Sequence, residues 1–226
     1  MTSDLLECIE IETGKAPRAS VIWMHGLGAD GNDFVPIVRE LELEGAPEIR
    51  FVFPHAPMRP VSINNGYVMR AWYDVKWGDL EGRTKQADET GIRESQRAIE
   101  RLIDREIERG IAAGDVVLAG FSQGGAMALQ TGLRHPEKLA GLMCLSGYVP
   151  LSDTVPSERS EASIDTPIFM VHGQSDGVIP IARAEQSRDL LKSFGYQVEW
   201  HDYPMQHSLC EEEIDHIGAW LKKVLA

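Results

Sequence analysis

Residues 120–124 read Gly-Phe-Ser-Gln-Gly, a G-x-S-x-G pattern with a second glycine, Gly125, behind it. The pattern is short enough to arise by chance, so its setting decides its meaning. An apolar strand-like run, Val116 to Ala119, leads into it, and a helix-forming run, Ala126 to Leu133, leaves it. Between strand and helix the chain must turn sharply, and flanking glycines remove the Cβ atoms that would clash there. The Ser122 hydroxyl then stands above a sheet at a helix N-terminus, where the helix dipole favours developing negative charge. That is the setting of a nucleophile, and a serine hydroxyl becomes one only when a base takes its proton.

Where a serine is held on such a strand–turn–helix, the acid and the base follow it in that chain order. His135, His172, His201, His207 and His216 lie beyond Ser122. His135 ends a helical pattern, His201 falls within a strand pattern and His216 lies inside the C-terminal helix. His172 ends a strand but precedes the acid. His207, in PMQHS, follows the last strand and can reach back over the sheet edge. For the acid, Asp176 in HGQSDGVIP follows a strand on a turn flanked by Gly173 and Gly177. Ser122, Asp176 and His207 therefore form the candidate triad, with Asp176 holding the ring of His207.

Attack on an ester carbonyl creates an oxyanion that needs two fixed donors. One is the backbone N–H of Gln123, the residue after the nucleophile; the other comes from the loop after an earlier strand. That loop is HGLGADG, residues 25–31, and Leu27 N–H is the expected second donor. The same loop matches G-x-G-x-x-G, the outline of a dinucleotide-phosphate loop. A dinucleotide site also needs an acidic residue at the end of the second strand to hold the ribose. Here that strand ends in Pro54-His55-Ala56-Pro57, with Glu48 before it rather than after. The loop thus reads as backbone access to a transient oxygen, not to a cofactor.

The elements that position these residues alternate. Short apolar runs at 20–26, 49–57, 115–122, 139–147, 167–173 and 196–204 read as strands, most of them buried on both faces, and residues 5–12 read as an edge strand. Helical stripes lie between them. Ile92, Ile99, Leu102, Ile103 and Ile107 mark one over 87–109; residues 124–135 form a second; Ile214, Ile217, Leu221 and Val224 mark the C-terminal one. Ser208 and Glu211 have capping-box spacing at its start, and Glu211 to Glu213 are placed to complement its dipole. This is an α/β fold with a mainly parallel sheet. Residues 58–86, punctuated by Gly and Asn and carrying Tyr67, Trp72, Tyr73 and Trp77, read as an excursion over the carboxyl edge of the sheet, where ligands bind in open α/β folds.

The chain has 226 residues, of which 43% are hydrophobic and 25% charged, as in one soluble domain. Its net charge of −13 disfavours nucleic acid and anionic lipid surfaces as partners. Cys8, Cys144 and Cys210 are odd in number and scattered, the usage of a reducing compartment. The acidic N-terminus lacks the pattern of a leader, and no window is long and apolar enough to span a bilayer, so the expected location is the cytoplasm. Histidine and acidic spacings show no metal motif.

HGLGADGNDF, FPHAP, MRAWYD, GFSQGGAMAL, GLMCLSGYVP, HGQSDGVIP and YPMQHS together resemble the acyl-protein thioesterase and small bacterial carboxylesterase group of α/β-hydrolases, also called lysophospholipase-like. The resemblance runs from residue 21 to about residue 210. It implies a single α/β-hydrolase domain over 1–226, with the stretch at about 58–86 as a short lid. The implied activity is that of a serine carboxylic-ester hydrolase on oxyesters, thioesters or lysophospholipids. The same triad and oxyanion donors follow from it. It further implies an acyl channel lined by neighbours such as Trp72 and Val178, no metal or organic cofactor, and a weak homodimer.

Overall fold

The computed structural model describes residues 5–80, 82 and 87–226. In chain order the strands are β1 (Cys8–Glu12), β2 (Ala19–Met24), β3 (Ile49–Pro54), β4 (Met58–Val61), β5 (Tyr67–Arg70), β6 (Val116–Phe121), β7 (Gly141–Leu145), β8 (Ile168–Gly173) and β9 (Val198–Tyr203). The α-helices are α1 (Glu89–Glu108), α2 (Gln123–Gly132), α3 (Val155–Glu158), α4 (Ile181–Ser193) and α5 (Glu211–Val224). Among the described residues the main sheet runs β1-β3-β2-β6-β7-β8-β9; β1 is antiparallel to β3 and every other pair is parallel.

Alternation within the buried strands explains their continuous apolar runs. Ile22 and Met24 face one side of the sheet with Val116 and Leu118, under Ile92, Ile99 and Leu102 of α1 and Ala126 and Leu129 of α2. Val21 and Trp23 face the other side with Val117 and Ala119, under Phe34, Ile37 and, from α5, Ile217, Trp220 and Leu221. Both faces are covered, so neither needs polar residues. β9, at the sheet edge, is only half-buried along most of its length.

Chain order fixes where a ligand can sit. From β2 the chain moves outward to β3, then returns across β2 to β6, and from β6 it moves the other way to β7. β2 and β6 are neighbours whose following connections diverge, which leaves a crevice at their carboxyl ends. The HGLG loop leaves the end of β2, and Ser122 follows β6 directly.

Three expectations change in detail. The stretch 58–86 contains an antiparallel hairpin, β4–β5, before a turn-rich segment; residues 81 and 83–86 lie outside the described ones. Its aromatics separate: Trp72 and Tyr73 are buried, whereas Tyr67 and Trp77 are exposed. On α1, Ile107 is half-buried, while Glu106 beside it is fully buried and paired to Arg50, Arg105 and Arg109. The Ser208–Glu211 capping box does not form. Helix α5 begins at Glu211 behind Cys210, whose side chain makes no cap, so the register lies two residues later than the S-x-x-E spacing suggests.

That register carries Glu213 into the core, where its carboxyl is fully buried. Burial pushes its pKa up to about 8, so it is largely neutral at pH 7 and does not complement the dipole as Glu211 and Glu212 do. A folded carboxyl whose pKa exceeds its unfolded value holds a proton that the unfolded chain releases. Its contribution is therefore fully present below the ordinary glutamate pKa and is lost as pH rises toward about 8. Melting temperature measured across this range is expected to fall with pH in the parent and to fall less in Glu213→Gln. The variant's relative gain at pH 8 is expected to be roughly 4 kcal/mol. Parallel pH profiles for the two proteins would disprove the buried neutral carboxyl.

Candidate active site

Ser122 sits at the hinge between β6 and α2 with φ 56° and ψ −118°, a left-handed backbone rarely adopted by residues other than glycine. The strain is held from all sides. Ser122 N–H donates to the Leu145 carbonyl at 2.8 Å, and its own carbonyl accepts from Ala126 N–H at 3.0 Å. The neighbouring glycines leave no room for side chains: a Cβ on Gly120 would meet the Gly124 carbonyl carbon at 2.3 Å, and one on Gly124 would meet the Met24 carbonyl oxygen at 2.1 Å. Ser122 occupies the N-cap position of α2, yet its hydroxyl does not cap the helix. It reaches His207 instead.

Ser122 Oγ lies 2.9 Å from His207 Nε2, and His207 Nδ1 lies 2.6 Å from Asp176 Oδ2. The structure thus brings together side chains that the sequence holds 85 and 31 positions apart. His207 packs on Phe121, with ring centroids 4.7 Å apart. Asp176 Oδ1 accepts from Val178 N–H at 2.8 Å and Ile179 N–H at 2.9 Å. Burial alone would raise the pKa of Asp176. Hydrogen bonds from His172, His207 and the two backbone amides outweigh it and hold the carboxyl well below the usual range. Asp176 is an anion throughout the neutral range, ready to orient an imidazole and to stabilise an imidazolium. Of the two glycines expected to tighten its turn, Gly173 is required, since a Cβ there would meet the Gln206 carbonyl oxygen at 2.2 Å; Gly177 faces open space.

Leu27 and Gln123 both lie beside this point. A Cβ on Gly26 would sit 3.5 Å from Ser122 Cβ, so the HGLG backbone abuts Ser122. Among the described residues, neither Leu27 N–H nor Gln123 N–H donates to a backbone acceptor outside regular elements. The Gln123 side chain turns away and grips the chain leaving the hairpin. Its Oε1 accepts from Trp72 N–H at 2.7 Å, and its Nε2 donates to the Tyr73 carbonyl at 2.8 Å. Trp72 is fully buried; its indole N–H donates to the His25 carbonyl at 2.9 Å, and its own carbonyl accepts from Ser95 Oγ. With no exposed surface, Trp72 ties the chain after the hairpin to Gln123 and to the loop after β2. Val178, beside Asp176, is exposed. A groove of about 330 Å³ opens on His207 between Phe34, Ile37, Phe121, Leu209 and Ile214, with Asp33 and Glu40 along it.

Sequence reasoning set His172 aside on chain order, and the structure gives it a different part. It is fully buried, with Nε2 2.8 Å from the Ile179 carbonyl and 3.3 Å from Asp176 Oδ2. A carbonyl only accepts, so Nε2 carries the proton and leans on the carboxylate as a further donor. The spacing HGQSD, four residues from His172 to Asp176, is the one sequence signal that could have suggested the pair.

A strained serine at the crevice of a mainly parallel sheet, followed in the chain by a bonded acid and histidine, defines an α/β-hydrolase fold. Solved structures with the same architecture include carboxylesterase SOBER1 of Arabidopsis thaliana (TM-score 0.84, 32% identity, covering 92% of this chain and 100% of that one). Acyl-protein thioesterase 2 of Zea mays is another (TM-score 0.82, 27% identity, 97% and 99%). Residues 6–225 match the Phospholipase/Carboxylesterase family, and the chain belongs to that family of hydrolases. Acyl-protein thioesterase 1 of Gibberella zeae is 40% identical over 231 aligned positions, covering 100% of this chain and 98% of that protein.

Proposed function

We propose that this chain is a serine carboxylic-ester hydrolase working through an acyl-enzyme on Ser122, His207 and Asp176. The observation that carries the reading is the unbroken hydrogen-bond chain from Ser122 Oγ through His207 to Asp176 beneath a strained hinge. His207 Nε2 takes the hydroxyl proton as Ser122 Oγ bonds to the substrate carbonyl carbon, and the carbonyl oxygen becomes an anion held by Leu27 and Gln123 N–H. Collapse breaks the bond to the leaving group, which takes the proton back from Nε2–H. Water then repeats the sequence against the acyl-serine, releasing a carboxylic acid.

The groove beside His207 is the side from which a leaving group is protonated, and it has room for a thiol or alcohol of some size. Names carried by the relatives make thioester-bound acyl groups the first donors to test, ahead of oxyesters. The scattered cysteines fit work in a reducing compartment. A fluorophosphonate probe is expected to attach once per chain, on Ser122, as located by peptide mass spectrometry. A folded protein that stays unlabelled would be a binding scaffold rather than an enzyme.

A further inference from the structure

His25 is a buried titratable residue with no part in the proton relay. Both ring nitrogens are occupied, and their partners fix the tautomer. Nε2 lies 3.0 Å from Ala56 N–H, which can only donate, so Nε2 accepts. The proton is therefore on Nδ1, 2.7 Å from the Gly26 carbonyl oxygen, which can only accept. Burial disfavours the charged ring and lowers its pKa, which keeps the imidazole in this neutral form.

The Gly26 carbonyl belongs to the same peptide unit as Leu27 N–H. In a planar trans peptide the two point in opposite directions, so whatever holds the carbonyl also aims the amide. The neighbouring units are pinned as well. The His25 carbonyl accepts from the Trp72 indole, and Gly28 N–H donates to the Arg70 carbonyl at 2.9 Å. The Gly26 oxygen receives a second, longer bond from Ala29 N–H at 3.3 Å. A hydrogen bond into a carbonyl also polarises its peptide and strengthens the N–H at the other end as a donor.

We infer that His25 is a positioning residue for the oxyanion hole: its Nδ1–H grips the Gly26 carbonyl and so directs Leu27 N–H at the developing anion beside Ser122. The inference rests on the reading of Leu27 as an oxyanion donor. His25 acts through the peptide and touches no substrate.

Two substitutions separate this from a merely structural role. In His25→Asn the side-chain amide occupies the place of Nδ1, so the donor to Gly26 survives and the acceptor for Ala56 is lost. In His25→Gln the carboxamide oxygen can reach Ala56 N–H, but nothing is offered to Gly26. On a p-nitrophenyl ester, His25→Gln is expected to lose about 100-fold in kcat with KM within about threefold, while His25→Asn stays within about tenfold of the parent. A trifluoromethyl ketone with the same acyl chain forms a tetrahedral adduct on Ser122. Its KI divided by the ester KM does not depend on how much of a preparation is folded. That ratio is expected to rise about 100-fold in the Gln variant. Equal losses in both variants with an unchanged ratio, or a Gln variant within threefold of the parent, would overturn the inference. If the parent labels with a fluorophosphonate on Ser122 while the Gln variant is unimpaired, this inference alone falls. If the parent does not label, the hydrolase reading beneath it falls.

Discussion

Replacing His207 with alanine is expected to lower kcat on a short p-nitrophenyl ester by roughly 10⁶-fold while KM changes little, and adding Ser122→Ala is expected to lower it no further. The reason lies in the 2.9 Å and 2.6 Å contacts that join Ser122, His207 and Asp176 into one device. Without the imidazole the serine keeps its proton; without the serine the imidazole has none to take. Each deletion therefore removes the whole nucleophilic path, and what survives is the oxyanion hole and binding, worth about 10³–10⁴-fold over water. Asp176→Asn is expected to cost less, about 10⁴-fold, through the wrong tautomer of His207 rather than through loss of the base. The check is a double-substitution series with melting curves showing that each protein is folded. Losses that multiply between Ser122 and His207 would mean the two do not act as a unit.

Gly124→Ala is expected to have the largest effect on stability of any single added methyl group near the site. The new Cβ would lie 2.1 Å from the Met24 carbonyl oxygen, 2.6 Å from its carbon and 2.7 Å from the His25 carbonyl oxygen. All three atoms are backbone at the end of β2, a fully buried strand paired with β3 on one side and β6 on the other. None can swing aside as a side-chain tip would. To relieve the clash α2 must lift from the sheet, which disturbs Ser122 and the Gly26–Leu27 peptide together. The expected cost is above about 4 kcal/mol, a fall in melting temperature of roughly 10 °C or more, with activity lost in parallel. Gly177→Ala is the control. Its Cβ meets nothing within 4 Å, and its change is expected to stay within about 0.5 kcal/mol. A Gly124→Ala protein melting within about 2 °C of the parent would show that β2 and α2 are not in rigid contact.

The parts of the site that could be read from the sequence are those set by local pattern. Apolar runs bounded by glycine and proline gave the strands, and a glycine-flanked serine between a strand and a helix gave the hinge. Chain order then left Asp176 and His207 as partners, because each follows a strand and so emerges at one edge of a parallel sheet. The misplaced capping box shows where local pattern fails. Ser208 and Glu211 have the spacing, but burial of Ile217, Trp220 and Leu221 against the sheet sets the register of α5, and the helix begins at Glu211 instead.

The sequence by itself determined the α/β alternation, the hinge at Ser122 and the order serine, acid, histidine, because residue spacing and backbone preference act within a few positions of the chain. Only the tertiary structure decided that His172 supports Asp176, that the Gln123 carboxamide holds the chain at Trp72 and Tyr73, and that the His25 ring carries its proton on Nδ1. It also decided that Trp72 is a buried brace while Trp77 is exposed. Each of these depends on which groups meet across separate strands and loops. A hydrogen bond between positions 25 and 56, or 72 and 123, exists only once the crossovers have brought those segments to the same end of the sheet.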